Sequence, residues 1–328
     1  MASEGRRGDM VVTGAFSYSG AAIARELRSA GRQVRTLTGH PERAPAGSPI
    51  EARPLNFNDP AELTRNLSGA HTLYNTYWVR FAHGQVDHDA AVANSRVLFE
   101  SAARAGVERI VHVSITHPTP DSPYPYFRGK ARVEQILTEL GVSHAIARPA
   151  ILFGGDGVLI NNIAWLLRHV PVFAIGGDGS YRVRAIHVDD LARLCVELGD
   201  RSDTMALDAV GPQTLTFRQL VDTVRTAVGS HALVLRVPAA VLTTLSRGIG
   251  LALRDTLLTR DEYLAMADGL ADSDAPATGT VVLTDWIGER ASDLGRHYAN
   301  ELDRHFRLAD PGAVRPQPEH AERRTTCR

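Results

Sequence analysis

Met10-Val11-Val12-Thr13-Gly14-Ala15-Phe16-Ser17-Tyr18-Ser19-Gly20 runs a short apolar stretch into a glycine-bearing turn, and an alanine-rich helical pattern follows over residues 21–30. A strand that breaks at a glycine and restarts as a helix gathers backbone N–H groups and the positive end of the helix dipole at one point. That point is a seat for a phosphate group. The first glycine permits the bend and the last lets helix and strand pack closely. Gly14, Phe16, Ser17, Tyr18 and Gly20 are therefore candidate residues for holding a dinucleotide's pyrophosphate.

Outward from this turn, short apolar runs alternate with helical patterns. Residues 10–13, 33–38, 50–55, 71–75, 109–114 and 143–148 read as strands. Helices are expected over 21–30, from Asp59-Pro60-Ala61-Glu62, over 90–105 and over 130–140. Asp59 supplies an N-cap, Pro60 the first helical position and Glu62 a carboxylate three residues on. Such alternation predicts a doubly wound parallel Rossmann sheet, an α/β fold, with strand order 3-2-1-4-5-6 if every crossover is right-handed. After Pro149 the rhythm changes to glycine clusters and helices, over 161–169, from Asp189 or Asp190, and from a Thr216-x-x-Gln219 capping box. The reading is a nucleotide-binding domain over 9–150 and a smaller, mostly helical substrate lobe over 151–308, interleaved with the sheet edge. A proline- and charge-rich disordered tail completes it over 309–328.

Composition removes several classes of function. A net charge of −1 gives no global field for nucleic acid, and 44% hydrophobic with 22% charged residues is ordinary for a globular enzyme. Residues 1–9 contain no apolar run of signal-peptide type. The apolar stretch 232–258 is interrupted by Arg236, Arg247 and Arg254, so no membrane span is expected and the segment reads as a buried or amphipathic helix. Two cysteines, Cys195 and Cys327, make no disulfide framework and no metal spacing, and His83 with His88 lacks the supporting ligands for a metal. A cytoplasmic protein with a small-molecule substrate fits, and the oligomeric state is left open.

The only lysine, Lys130, stands against 35 arginines. It closes Tyr126-Phe127-Arg128-Gly129-Lys130, in which tyrosine and lysine four residues apart share one helix face. A nearby ammonium favours phenolate and is expected to lower the tyrosine pKa towards the range of an acid/base catalyst. Gly129 is a poor helix former, so an irregular first turn is expected.

The turn at 13–20 resembles the TGxxGxxG fingerprint of extended and atypical short-chain dehydrogenase/reductases, with Ser17 in place of the middle glycine. The resemblance covers nearly the whole ordered chain. Ala147-Arg148-Pro149 with Gly154 resembles the segment after strand six, and His187-Val188-Asp189-Asp190 the one before the next helix. It implies NAD(P)(H), with hydride transfer to or from a small organic carbonyl or alcohol, or an epimerase-type reaction. It also implies Tyr126 as acid/base, Lys130 on the nicotinamide ribose, and Ser114 (or Thr116) on the substrate oxygen. Asn56 and Phe57 would flank the adenine, and Pro149 would floor the nicotinamide. His187 and Asp189 would pin the lobe to the sheet.

Strand two ends in Thr38-Gly39-His40 with no acidic group for a free ribose 2′-hydroxyl, while Arg43 lies within reach of a 2′-phosphate, so NADP is preferred over NAD. The nearest groups are those related to a complex I accessory subunit, to nitrogen-metabolite-repression-type regulators and to the NAD-dependent epimerase/dehydratases. The alternative is therefore a non-catalytic NAD(P)(H)-binding regulator or assembly factor. A Tyr126 hydroxyl facing an open pocket favours the enzyme, and one packed into protein favours the regulator. Tyr77, Trp78, Phe81 and Trp165 are candidates for an apolar substrate wall.

Overall fold

The structure is a computed structural model that describes residues 9–81, 87–155 and 157–300. His83, Cys327 and the tail over 309–328 lie outside the described residues.

The first half alternates as read: β1 (Asp9–Thr13), α1 (Tyr18–Ser29), β2 (Val34–Thr38), β3 (Glu51–Pro54), α2 (Pro60–Leu67), β4 (Ala70–Asn75), α3 (His88–Arg104), β5 (Arg109–Val113), α4 (Pro125–Glu139) and β6 (Ser143–Pro149). The Asp59 carboxylate accepts the Glu62 amide at 2.9 Å, the cap that starts α2. The chain continues through β7 (Ile151–Phe153), α5 (Val158–His169), β8 (Val172–Gly176), β9 (Arg182–Val183), β10 (Ala185–His187), α6 (Val188–Asp200) and β11 (Met205–Ala209). It then forms β12 (Leu215–Thr216), α7 (Phe217–Ala227), β13 (Leu233–Val237), α8 (Ala239–Leu253), α9 (Arg260–Ala267) and α10 (Leu283–Glu289).

Parallel pairing builds one Rossmann-like sheet in the order β11-β6-β5-β4-β1-β2-β3. The expected order holds, and a seventh strand, β11, is added outside β6. It is an edge strand of mixed exposure, Met-Ala-Leu-Asp-Ala, whose residues carry neither a continuous apolar run nor clean alternation. Its helix α6 packs on α1, so one core joins Val12, Ile23 and Val111 to Ile186, Leu191, buried Cys195 and Ala209. The chain thus returns to the nucleotide-binding sheet after residue 185.

Five helices begin earlier than their sequence signals, α3 at His88 and α5 at Val158 among them. α4 starts at Pro125, a favoured first helical residue, and α1 starts at Tyr18. α6 starts at Val188 because the His187 ring accepts the Asp189 amide and acts as the cap, which leaves Asp189 and Asp190 in the first turn near the positive dipole end. α7 does carry the complete Thr216–Gln219 capping box. Strand pairs β7–β10, β8–β13 and β9–β12 with α5, α7 and α10 enclose a second core around Phe153, Ile163, Ile175 and Val221.

Candidate functional site

A cleft of about 3040 Å³ lies between the carboxyl ends of the sheet strands and the second core. At its floor Gly14 adopts φ +66°, and Phe16, Ser17, Tyr18 and Ser19 line the wall. A Cβ at Gly20 would lie 2.2 Å from the Gly14 carbonyl oxygen, so the helix packs against the turn at glycine distance. Ser17 turns its hydroxyl back onto the Gly14 carbonyl at 2.6 Å and makes no side-chain cap for α1. The first turn of α1 therefore faces the cleft with its serine folded out of the way, a cradle that suits a pyrophosphate. The substitution of the middle glycine is absorbed by this internal bond.

The cradle is held by groups that motif reading passed over. Thr36 Oγ1 accepts the Ala15 amide at 2.9 Å, and Thr13 Oγ1 accepts the amides of Thr76 (2.7 Å) and Tyr77 (3.1 Å). Thr13 opens the fingerprint without a role assigned to it and Thr36 carries no motif; their pairing across β1, β2 and β4 gives both this task. Tyr18 donates to the Gly154 carbonyl at 2.8 Å and so ties α1 to the loop after β7. A Cβ at Gly154 would lie 2.2 Å from His187 Nε2, and His187 packs edge-on against Phe153 and Trp286. Asp189 pairs with Arg25 of α1. Both residues therefore contact the elements that join lobe and sheet.

At the end of β2, Thr38, His40, Glu42 and Arg43 line the cleft. Glu42 sits 3.2 Å from His40 and 3.7 Å from Arg43, so a carboxylate does stand beside the guanidinium at this rim. Asn56 and Phe57 are not among the residues that line the cleft. Asn56 donates to Glu62 and accepts the Asn58 amide, and Phe57 packs on Tyr77 at 4.8 Å.

Tyr126 lines the cleft, half-buried, with its ring edge-on to Trp78 and His88, each at 5.7 Å. Its hydroxyl has no hydrogen-bond partner among the described residues. Burial pushes this phenol upward, with the Glu262 carboxylate adding to the shift and Arg80 opposing it. The expected lowering by Lys130 is absent because the ammonium points elsewhere. Lys130 is 3% exposed, donates to the Val113 carbonyl at 2.9 Å and lies 4.7 Å from the Trp78 ring centre. Burial pulls this amine down to about 7.

Trp78, a candidate for the substrate wall, is not among the residues that line the cleft and stands instead at the centre of the cluster. Its ring stacks on His88 and fills the space over Gly129, where a Cβ would lie 2.8 Å from the indole. Gly129 thus admits an indole, and α4 runs on regularly through it.

Of the two candidate hydroxyls, Thr116 donates to the Leu270 carbonyl at 2.9 Å, whereas Ser114 Oγ is buried with no partner among the described residues. Pro149 lies at the buried end of β6 and its carbonyl accepts the Thr116 amide; the neighbouring Ala150 lines the cleft. Phe81 lines the cleft, while Tyr77 bonds Asn94 and Trp165 stacks on His169 and meets Tyr298 edge-on. Sequence reading also missed Arg80–Glu262, paired at 2.6 Å, and the capping box by which Thr259 and Glu262 start α9. Both charges lie far apart in sequence and carry no local pattern.

The buried amine makes stability depend on pH. The unfolded chain binds a proton on Lys130 up to the ordinary lysine range, and the folded chain releases it near 7. Folding therefore becomes more favourable as pH rises from about 7 towards the unfolded value, by about 1.4 kcal/mol per pH unit at most. Denaturant titrations of wild type and Lys130→Met across that window should show the slope in the first and its absence in the second.

A family described as NAD(P)H-binding matches residues 14–200, more than half of the chain. An uncharacterized protein of Mycobacterium tuberculosis is 28% identical over 214 residues, 64% of this chain and 22% of that protein. The 40 kDa subunit of the mitochondrial NADH-ubiquinone oxidoreductase of Neurospora crassa is 23% identical over 176 residues, 53% of this chain and 46% of the subunit. The chain spans less than half the length of either relative. Among solved structures, the Citrobacter sp. triphenylmethane reductase complexed with NADP(H) superposes with a TM-score of 0.71 at 18% identity. That match covers 86% of this chain and 99% of the reductase.

Proposed function

The chain belongs to the NAD(P)H-binding family, and from that premise we propose that it is an NAD(P)(H)-dependent oxidoreductase that reduces a small organic carbonyl. The carrying observation is Tyr126: the residue lines the cleft, its hydroxyl lacks a partner among the described residues, and burial with Glu262 pushes the phenol towards its protonated form. When bound, NAD(P)H supplies a hydride to the carbonyl carbon. Tyr126 donates its proton to the carbonyl oxygen, which stays on carbon as the hydroxyl of the alcohol product, and the tyrosine is left as phenolate. Ser114, whose Oγ is buried and unpartnered among the described residues, does not line the cleft, and orienting that oxygen is the role the resemblance implies for it. The cradle from Gly14 to Gly20 holds the pyrophosphate, and Trp78 keeps water from the phenol. A raised phenol stays protonated through the neutral range, so it is poised to donate a proton to a carbonyl oxygen rather than to take one from an alcohol. Epimerase-type chemistry would require the same tyrosine as a base.

Arg43 supports a preference for NADP(H), and Glu42 works against it. Arg43→Ala should weaken NADPH binding by about tenfold and leave NADH unchanged, and Glu42→Gln should tighten NADPH binding alone, both read by fluorescence titration. We place the activity in the cytoplasm, where buried Cys195 stays a thiol; burial pushes it up to about 12.

A second reading is favoured by one observation. The Lys130 ammonium is engaged by the Val113 carbonyl and covered by Trp78, as suits a nucleotide-binding module without turnover. Incubating the protein with NADPH or NADH and a panel of aldehydes, ketones and quinones separates the two. Carbonyl-dependent oxidation of the nicotinamide is expected. Tight nucleotide binding with no oxidation across the panel would establish the second reading instead.

A further inference from the structure

Seven of the eight large apolar side chains exposed among the described residues lie together, on β8, β13 and α8. Val172 and Leu233 are register partners on the β8–β13 pair, with Leu235 next on the same face. Val241, Leu245 and Ile249 follow at four-residue spacing along α8, and Leu251 near its end is 82% exposed. Between Ala239 and Leu253 the helix holds three hydroxyl side chains, two glycines and one arginine, and no carboxylate. A helix this apolar on all sides is ordinarily buried. This one stands at the surface, so something else covers it.

We propose that α8 and the β8–β13 edge dock on an anionic lipid surface. The charges around the patch select this occupant. Arg236, Arg247 and Arg254 are all exposed, and no Asp or Glu occurs from residue 231 to 254. The Asp178 carboxylate feels Arg236 from a neighbouring loop and is one acidic group near the patch. A two-fold pairing of copies through this face would bring cations against cations, whereas acidic headgroups neutralise them. The helix has 15 residues, roughly 22 Å of length, short of the roughly 30 Å hydrocarbon core. No helix among the described residues is long and apolar enough to cross a membrane, so α8 lies in the interface plane. Leu242, Leu245 and Ile249 also line the cleft, and docking therefore sets the cleft mouth against the lipid.

The test is co-sedimentation of the full chain with vesicles of phosphatidylcholine alone or mixed with phosphatidylserine. Wild type should pellet with the mixed vesicles, less as salt is raised. Leu251→Glu should weaken partitioning by at least about tenfold, and Arg236→Gln with Arg247→Gln by roughly twentyfold. Thermal midpoint and NADPH affinity should stay at wild-type values in these variants, since the altered side chains are exposed. Failure of folded wild type to pellet, or equal pelleting of Leu251→Glu, overturns the proposal. A dimer by light scattering that Leu251→Glu dissolves, with no vesicle binding, assigns the patch to a second copy and also overturns it.

Discussion

Tyr126→Phe should lower turnover by roughly 10²- to 10⁴-fold while nucleotide affinity stays within about twofold. The substitution removes one hydroxyl and keeps the ring against Trp78, His88 and Phe127. That hydroxyl has no protein partner among the described residues, so its loss strands nothing in the fold, and the thermal midpoint should hold. The pH profile sharpens the expectation. Because burial and Glu262 push the phenol up, carbonyl reduction should stay flat through the neutral range. The reverse reaction needs phenolate and should rise with pH into the alkaline range. Steady-state rates in both directions check this. Wild-type turnover in the variant would remove Tyr126 from the chemistry, whatever the nucleotide affinity.

The parts of this molecule that were legible in its sequence are those whose physics is local. A glycine turn between strand and helix, apolar runs of strand length, and caps at Asp59 and Thr216 act over a few residues, and the sheet order followed from them with crossover handedness alone. β11 escaped because an edge strand of mixed exposure, with a polar Asp208 and small alanines among its five residues, carries little apolar pattern. The reason for Gly129 was hidden because the group it makes room for, Trp78, arrives from the end of β4. Likewise the direction of the Lys130 ammonium is decided by the Val113 carbonyl and an indole face, not by its spacing from Tyr126. Four-residue spacing puts two side chains on one side of a helix; it does not make them meet. The same holds for Arg80 and Glu262, which tune the phenol from 46 and 136 positions away along the chain.

Gly20→Ala should weaken NAD(P)H binding by more than about a hundredfold, a loss that exposes how the cradle is built. The added methyl would stand 2.2 Å from the Gly14 carbonyl oxygen, 2.7 Å from its carbon and 2.9 Å from the Thr13 carbonyl oxygen. All three are backbone atoms of a turn and a central strand, and neither can swing aside as a side chain would. α1 must therefore retreat from β1, and the amides of its first turn retreat with it from the phosphates. Gly31→Ala supplies the contrast. Gly31 has φ +73° at the end of the same helix and nothing within 4 Å of a Cβ. That change should cost about 1 kcal/mol of backbone strain and leave binding alone. Isothermal titration and thermal melts of both variants separate the two causes. If Gly20→Ala bound like wild type, the contact between helix and turn would not be what holds the dinucleotide. If Gly31→Ala lost binding as well, loss of fold rather than retreat of the amides would explain both.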